Sequence, residues 1–262
     1  MLGGKRITLV IIAYNEQKLI VPTLKSVPPI VDTVIVVDDC STDETCSFVI
    51  EASKTDRRIH LIRHKNNRGP GGAIISGYAW FYLNGDDIAV VIGGDNQMDQ
   101  SEMWKFITPL IEGNVDYCKG NRFLVDAFEK MPIRRLFGNF TLSLMTLIFS
   151  GYFVFDTQDG YTSISRSAVG RINWSAFHEG YGYVSDFIIR MKAYGLTLRD
   201  VPRRSIYLKG ERQSQINIGK YMRRFFFLWL RAFRWRIRNY HPPLSDGIKF
   251  AKKRSDLWEQ LV

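Results

Sequence analysis

Two groups of acidic residues directly follow apolar runs that are typical of buried strands. Asp38 and Asp39 come after one run, and Asp95 comes after another. Carboxylates rarely sit beside buried strands without a partner or a ligand. Such acids can accept hydrogen bonds from a nucleobase and ribose, or they can hold a divalent cation. The alternative is structural, because Asp38 or Asp39 could cap the helix that follows.

The segment around Asp95 has the composition of a cation-binding turn. Two glycines end the apolar run. They are followed by side chains with oxygen donors, namely Asp95, Asn96, Gln97 and Asp99. These donors suit Mg²⁺ or Mn²⁺ bridging a diphosphate, and such a cation neutralises a leaving nucleoside diphosphate as a sugar bond breaks. An ordinary polar turn between strand and helix is the alternative.

The elements that would position these residues alternate between strand and helix. Apolar runs predict strands at residues 7–13, 33–37, 59–63 and 87–92. Helices are predicted at residues 16–26, from residue 41 or 42 to 53, and from residue 73 onward. That order is typical of βαβ units in a mostly parallel sheet. Because open parallel sheets bind ligands at the carboxyl ends of their strands, the acidic groups should meet along that edge.

Composition narrows the class of protein. The 262 residues, 45% of them hydrophobic, suffice for one large domain, and a net charge of +10 predicts an anionic partner. Three cysteines without a CxxC motif indicate reduced thiols in a cytosolic protein rather than disulfides or zinc. The first apolar run is too short for a secretory leader, and no run reaches the roughly 18 apolar residues of a membrane span.

Four segments together resemble the successive signatures of family 2 glycosyltransferases with the GT-A fold: IIAYNE, VVDDCSTDET, NRGPGGAIISGY and VIGGDNQMDQSEM. GYTSISRSAV and GYGYVSDFIIRMKAYGLTLRDVP continue the pattern, so the resemblance covers residues 6–215. It is nearest to the dolichyl- and polyprenyl-phosphate sugar synthases. It implies a Rossmann-like, mostly parallel α/β sheet with helices on both faces. It also implies inverting transfer of a sugar from a UDP- or GDP-sugar to a lipid-linked acceptor such as polyprenyl phosphate.

The resemblance assigns the nucleotide-sugar site by position. Ala13, Tyr14 and Glu16 match residues that line the nucleotide. Asp39 matches the acid that reads its base, with Asp38 as a neighbouring candidate. The set is completed by residues of the third and fourth motifs, namely Asn67, Gly72 and Asp95.

The same resemblance assigns a site for Mg²⁺ or Mn²⁺. Asp95 matches the second acid of the family's DxD motif, and Gln97 matches a further ligand of the synthase branch. Gly93 stands where the first DxD acid would be. Three consequences stay open: weaker metal binding, compensation by Asp99, or a degenerate enzyme.

On the acceptor side, Arg122 matches a family arginine after the fifth strand, and Arg134 and Arg135 stand where a phosphate-bearing acceptor would be met. Arginine's planar donor fork suits phosphate oxygens, whereas a solvated helix face is the alternative for the pair. Arg212 and Ser214 fall in a loop that closes over the diphosphate in the family. A flexible surface loop is the alternative there.

Asp186 occupies the position of the family's catalytic base, and Asp159 is a second catalytic candidate. A hydroxyl acceptor needs a base, whereas a lipid monophosphate is already anionic near neutral pH. With a lipid phosphate, Asp186 would position rather than deprotonate. A structural ion pair with Arg190 at i,i+4 spacing is the alternative.

Residues 216–240 combine basic and aromatic side chains without any acid. Aromatic rings in a membrane interface and guanidinium groups on lipid phosphates would attach such a segment, each basic residue contributing about 1 kcal/mol. Residues 131–155 are a second, more apolar candidate. We predict a catalytic domain at 1–215 and an extension of amphipathic helices at 216–262, peripheral to the cytoplasmic face of a membrane. The alternatives are packing on the catalytic domain, a membrane partner subunit and a homo-oligomer, and we expect no nucleic acid as partner.

Two rival functions remain. A sugar nucleotidyltransferase would place a Gly-rich phosphate loop right after the first strand, where this chain has Ala13 to Glu16. A non-catalytic membrane-bound scaffold on a degenerate transferase fold is favoured mainly by Gly93. Metal-dependent nucleotide binding would count against the scaffold.

Overall fold

The computed structural model of the chain describes residues 2–126, 133–204, 206, 218–240, 242 and 246–262, without the side chains of 134, 135 and 218–224. Its strands form one sheet. They are β1 (Ile7–Ala13), β2 (Thr33–Asp38), β3 (Ile59–His64), β4 (Ile88–Gly93), β5 (Tyr117–Asn121), β6 (Thr162–Ser165), β7 (Leu198–Pro202) and β8 (Trp258–Gln260). Their order across the sheet is β7-β5-β6-β4-β1-β2-β3-β8.

Helices cover the sheet on both faces. They are α1 (Ile20–Lys25), α2 (Thr45–Thr55), α3 (Gly69–Asn84), α4 (Trp104–Ile111), α5 (Ile133–Ser150), α6 (Arg166–Arg171), α7 (Tyr183–Met191), α8 (Ile218–Arg238) and α9 (Gly247–Ser255). Successive residues of a strand point to opposite faces, so β1 packs Val10 into one apolar cluster and Leu9 into the other. With helices on both faces, strands read as continuous apolar runs, and every residue of β2 is buried.

Strand direction decides where the polar strand ends lie. Parallel pairing joins β3, β2, β1 and β4, and β5 is parallel to β7. Antiparallel pairing occurs between β6 and its neighbours β4 and β5, and between β8 and β3. The carboxyl ends of β1–β5 and β7 therefore share one edge with the beginning of β6. The predicted α/β class and mostly parallel sheet are confirmed.

Helix α3 packs against β1 so closely that one position on it must be glycine. A Cβ added at Gly77 would lie 2.3 Å from Val10 Cγ1, well inside a carbon–carbon contact. The helix also begins earlier than the predicted residue 73. Gly69, at φ +79°, and Pro70 open it, and proline is tolerated there because the first turn leaves its N–H groups unpaired.

Two other helix starts were predicted too early. The helix expected at 16–26 begins at Ile20, because residues 16–19 form a turn that is bonded to the β2–α2 connection. The next helix begins at Thr45 rather than at 41 or 42. Thr45 N donates to Asp43 Oδ1, which holds the turn before the helix.

The described part of 216–262 is built into the fold. Phe225, Trp229 and Ala232 of α8 are buried in a cluster with Leu142 of α5 and Ile189 of α7. Further along, α9 packs on α3, and β8 extends the sheet beside β3. The sequence left open that the basic and aromatic segment forms a helix packed on the rest of the protein, and α8 is packed in this way. A domain boundary at 215 stays a prediction.

Helix α5 combines a partly polar buried face with a strongly apolar exposed face. Beside Leu142, its buried face carries four polar residues, namely Asn139, Ser143, Thr146 and Ser150. Its exposed face carries a line of large apolar residues, namely Ile133, Phe137, Phe140, Leu144 and Ile148, of which Ile133 is 80% exposed. We call this line the α5 outer face. No helix in the described part of the chain is both long and apolar enough to cross a membrane.

Candidate active site

The shared sheet edge collects the polar groups that the sequence singled out. It has a β1–β4 half, with Tyr14, Asp39 and Asp95 just beyond the strands, and a β5–β7 half around Arg122 and Asp159. The non-glycine residues with positive φ lie in the turns at this edge, namely Asn15, Cys40, Asn96 and Asp156. Backbone strain of this kind is tolerated where the surrounding structure fixes the geometry, and it concentrates at functional sites.

Asp39 has a carboxylate with three bonding partners at the β1–β4 half. It is 4% exposed, and it accepts hydrogen bonds from Arg68 N at 2.8 Å and Gly69 N at 2.7 Å. Its Oδ1 also lies 2.6 Å from His64 Nδ1. The expected alternative, capping of the helix after β2, is wrong for both acids. Asp39 holds the start of α3 instead, and Asp38 accepts from Ser41 N within the turn.

The turns after β1 and β2 are bonded to one another. Asn15 N donates to Ser41 Oγ, and Glu16 N donates to Thr45 Oγ1. Ala13 is buried, whereas the Tyr14 side chain is 49% exposed above these bonded turns. The edge thus offers one open aromatic ring on a fixed backbone.

The glycine-rich start of α3 is packed against the segment that precedes α7. Gly72 N donates to Glu179 O at 2.8 Å, and a Cβ on Gly71 would lie 2.5 Å from His178 O. Asn67 Nδ2 donates to Asp39 O at 3.0 Å. Asn67 therefore contacts Asp39, whereas Gly72, three residues beyond Gly69, contacts Glu179 instead.

Asp95 is partly exposed, and burial raises the pKa of its carboxyl above the ordinary value although Gln97 N donates to Oδ1 at 3.2 Å. Among the described residues, no lysine or arginine forms an ion pair with it; Arg203 acts on it only from a distance. A side chain at 93 would crowd it, because a Cβ there would lie 3.1 Å from Asp95 Oδ1. Asp99 caps its own turn through Ser101 N, so compensation by Asp99 has no support in this geometry.

The donor set at Asp95 fits a hard divalent cation that shares its ligands with a substrate. The described residues bring no three His, Cys, Asp or Glu side chains together as a metal-binding group. Mg²⁺ is commonly held by one or two carboxylates together with substrate phosphates and water. The Asp95 carboxylate fits that pattern, and Gln97, two residues further along, stays a predicted second ligand.

The β5–β7 half holds its acids in buried ion pairs. Arg122 is 6% exposed and binds Asp156 with both Nε and Nη2 at 2.7 Å. Arg203 Nε lies 2.6 Å from Asp159 Oδ2, and Arg122 Nε lies 3.5 Å from the same oxygen. Burial raises the pKa of Asp159, but the charges of Arg203 and Arg122 outweigh it and lower that pKa below the ordinary value. Inside the protein, Arg122 is therefore paired chiefly with Asp156, and Asp159 chiefly with Arg203.

Asp186 is fully buried in the first turn of α7. It accepts from His178 N at 2.8 Å and from Arg190 Nε at 2.9 Å. Burial raises the pKa of this carboxyl, and the Arg190 charge opposes the rise. The i,i+4 pair that sequence offered as the alternative is formed, and a catalytic role for Asp186 stays a prediction.

Four predicted phosphate ligands fall beyond what the structure describes. Arg134 and Arg135 belong to α5, but their side chains are outside the described set. Arg212 and Ser214 lie outside the described residues.

Sequence reasoning missed four polar residues behind Asp39, namely His64, Ser76, Glu179 and Arg254. His64 carried one usable signal, because it ends a strand on the same edge as Asp39. The others had none, since Arg254 reaches Ser76 across 178 positions of sequence.

Comparison with known proteins matches this arrangement. A family model described as glycosyl transferase family 2 matches residues 8–171. UDP-N-acetylglucosamine--dolichyl-phosphate N-acetylglucosaminyltransferase of Methanococcus voltae is 31% identical over 220 residues, 79% of this chain and 88% of that protein. Polyprenol monophosphomannose synthase of Mycolicibacterium smegmatis is 28% identical over 202 residues, 74% of this chain and 76% of that protein.

Solved structures confirm the fold. Glucosyl-3-phosphoglycerate synthase from Mycobacterium tuberculosis in complex with UDP superposes with a TM-score of 0.63 at 19% identity, covering 88% of this chain and 81% of that one. The same synthase has been solved with UDP and either Mn²⁺ or Mg²⁺. At this identity the likeness shows the fold alone, which is the predicted GT-A type.

Proposed function

The chain belongs to glycosyl transferase family 2 and is a glycosyltransferase, and we propose that it transfers a sugar, with inversion, from a UDP- or GDP-sugar to a lipid-linked acceptor such as polyprenyl phosphate. The observation that carries this proposal is Asp95, a partly exposed carboxylate without an ion pair among the described residues, at the ligand-binding edge of a parallel sheet. The names of the two relatives support a nucleotide-sugar donor and a lipid-phosphate acceptor.

Each part of the β1–β4 half has a task in this proposal. The exposed Tyr14 ring offers an aromatic surface for the nucleotide. An ionised carboxylate has about four acceptor sites, so Asp39, with three described partners, retains one for a base N–H. Asp95 and Gln97 would hold Mg²⁺ or Mn²⁺, which neutralises the charge developing on the leaving diphosphate.

The ion pair of Asp186 supports an acceptor that is already anionic. A buried carboxylate bonded to Arg190 and to a backbone N–H is poorly placed to take a proton from a hydroxyl group. A lipid monophosphate needs no such base. Asp186 then acts as a positioning residue that fixes the start of α7 beside the edge.

The α5 outer face supports a membrane as the place of reaction. Five large apolar side chains point outward while small polar ones point inward, which suits a helix whose outer solvent is lipid rather than water. Neither α5 nor α8 contains an acid, and Arg231, Arg234 and Arg238 of α8 are exposed. We therefore assign the peripheral contact with the cytoplasmic leaflet chiefly to α5, with α8 packed beneath it and supplying basic groups.

Calorimetric titration with UDP and GDP, each with and without Mn²⁺, tests the donor site. We expect tight binding of one nucleotide that requires Mn²⁺ and is lost in Asp95→Ala. Asp99→Ala is the matched control, because Asp99 lies in the same loop and caps its own turn. Nucleotide binding that is unchanged both without Mn²⁺ and in Asp95→Ala would contradict the role that the proposal gives to Asp95. No binding of either nucleotide would favour the scaffold, and turnover of a sugar phosphate with UTP or GTP would favour a nucleotidyltransferase.

Vesicle flotation tests the membrane contact. Wild-type protein should float with vesicles that contain anionic lipid, and Phe137→Gln combined with Ile148→Gln should remain in solution. Phe48→Gln on α2, where Phe48 is 40% exposed, is the matched control and should float. Equal flotation of all variants would contradict the assignment to α5. A dimer that dissociates in the double variant would assign the same face to a homo-oligomer.

A further inference from the structure

The segment 246–262 returns to the β1–β4 half of the edge from the far end of the sequence. Strand β8 pairs antiparallel with β3, and the register places Trp258 opposite His64. Helix α9, opened by Asp246 as its cap, packs on α3 and carries Arg254 toward the start of that helix. Arg254 is the point at which the segment meets the candidate nucleotide site.

One arm of Arg254 leads through the protein to Asp39. Arg254 Nε lies 3.0 Å from Ser76 Oγ, which lies 2.8 Å from His64 Nε2. His64, almost fully buried, lies with Nδ1 2.6 Å from Asp39 Oδ1. An arginine can only donate, so Ser76 accepts from Arg254 and can donate its own proton to His64 Nε2. His64 then donates from Nδ1 to Asp39, and every polar hydrogen in the series has an acceptor.

This direction of donation favours one tautomer of His64. With a second proton at Nε2, Ser76 Oγ would accept from both Arg254 and His64, and the serine proton would have no acceptor in the series. The neutral imidazole with its proton on Nδ1 satisfies all four groups. The orientation of the Asp39 carboxylate is thus tied to Arg254 through two intervening side chains.

The other arm of Arg254 contacts the first turn of α3 directly. Nη2 donates to Gly72 O at 2.8 Å, and Nη1 pairs with Glu179 at 2.5 Å. Glu179 also pairs with Arg68 at 2.6 Å, and Arg68 N is a donor to Asp39. The two arms therefore end at the same atom, Asp39 Oδ1, one through His64 and the other through Arg68 N.

We propose that Arg254 is a positioning residue for the nucleotide donor, acting through Ser76 and His64 on Asp39 and through Glu179 on the turn that opens α3. The segment 246–262 is then part of the donor site although none of its residues contacts Asp39 in the geometry above. This inference rests on the proposed function. It predicts a defect in donor binding rather than in the chemical step, because Asp95 and the β5–β7 half are untouched.

Two variants separate the arms. Arg254→Gln removes both, and we expect the Kd for the bound nucleotide and the KM for the donor to rise about tenfold, as supporting hydrogen bonds to ligand groups commonly contribute, with kcat near wild type. Ser76→Ala cuts only the arm to His64, so a smaller rise is expected. Arg254→Lys keeps the charge without the donor fork and should lie between wild type and Arg254→Gln. Lys253→Gln is the matched control, an exposed basic residue one position earlier on α9.

The tautomer of His64 can be measured, and it would not change if Arg254 had only a general structural role. In ¹⁵N-histidine-labelled protein, which contains four histidines, His64 should show a protonated Nδ1 and an unprotonated Nε2 in the wild type. This pattern should change in Ser76→Ala and in Arg254→Gln but persist in Lys253→Gln. Assignment follows from the signal lost in His64→Gln.

The outcomes are distinguishable from those of the proposed function. If the wild type binds a nucleotide and Arg254→Gln binds it equally well, the inference is wrong and the proposed function stands. A fall in kcat with unchanged KM, or an unchanged His64 pattern in both variants, would also overturn it. If the wild type binds neither UDP nor GDP, the proposed function is wrong, and this inference, which rests on it, is wrong as well.

Discussion

The two halves of the sheet edge stabilise buried acids in different ways. In the β1–β4 half, Asp39 is held by backbone N–H groups and an imidazole, and Asp95 has no described ion pair. In the β5–β7 half, Asp156 and Asp159 face Arg122 and Arg203 at 2.6 to 2.7 Å. Burial raises the pKa of Asp95, whereas the arginines lower that of Asp159.

The difference shows which acid an external cation can use. Burial penalises any carboxylate charge, and an internal arginine removes that penalty by supplying the counter-charge. Once Asp159 is neutralised by Arg203 and Arg122, it has little to gain from a metal. Asp95 keeps an uncompensated charge at an accessible edge, so a bound cation would stabilise it. We therefore expect the β5–β7 half to supply rigidity and the β1–β4 half to supply affinity for the metal.

The largest change in the free energy of unfolding is expected when a buried ion pair of the β5–β7 half is broken. Asp159→Asn removes the close counter-charge of buried Arg203 while Arg122 keeps Asp156, and removing one partner of a buried pair costs about 3–5 kcal/mol. Urea unfolding at neutral pH measures the loss. Asp87→Asn is the control, since its pair with Lys5 is partly exposed and should contribute less than about 1 kcal/mol. Equal losses for both variants would remove the contrast between the halves.

Packing in the β1–β4 half should respond to volume rather than to charge. Gly77→Ala forces a methyl group against Val10, and overpacking of this kind costs about 1–3 kcal/mol. Adding Val10→Ala opens the space, so the double variant should recover part of the loss caused by Gly77→Ala. Additive losses in the same urea experiment would mean that the two side chains do not meet.

The two halves should also differ in acid. The folded-state pKa of Asp159 lies below its unfolded value, so the unfolded chain binds the proton more readily and folding stability falls as pH falls through the range below the ordinary aspartate value. The stability difference between wild type and Asp159→Asn should therefore shrink as pH drops through that range. For Gly77→Ala the difference should stay constant. Thermal unfolding between neutral pH and about pH 3, below the ordinary aspartate pKa, checks both.

The smallest effect is expected on the α5 outer face. Phe137 is 73% exposed, so Phe137→Gln should change the free energy of unfolding by less than about 0.5 kcal/mol. The same substitution should weaken vesicle binding. A large loss of stability in solution would instead show that Phe137 is covered by protein.

The sequence predicted the strands of the β1–β4 half within one residue, because short, mostly apolar runs end there at polar or glycine-rich turns. It also placed Asp39, Asn67 and Asp95 at one edge, since parallel strands end together. The basic and aromatic composition of α8 did not reveal which side of the helix would pack. That side is decided by Leu142 and Ile189, which come from other elements.

The polar contacts behind the site could not be predicted. The pairs of Arg203 with Asp159 and of Arg254 with Ser76 join residues far apart in sequence, and neither pair has a local spacing rule. By contrast, Asp186 and Arg190 follow the i,i+4 rule of a single helix, and that pair was foreseen as an alternative. Strand β8 is only three residues long, too short for any periodic pattern.

The pairing of β8 with β3 has a consequence for how the chain folds during synthesis. Nearly two hundred residues separate the two strands in sequence, so β3 is an open edge until residues 258–260 have left the ribosome. The open edge exposes backbone N–H and C=O groups that can pair with another nascent chain. We expect aggregation during expression to be the first symptom of variants that delay docking of α9, even where the finished protein is stable.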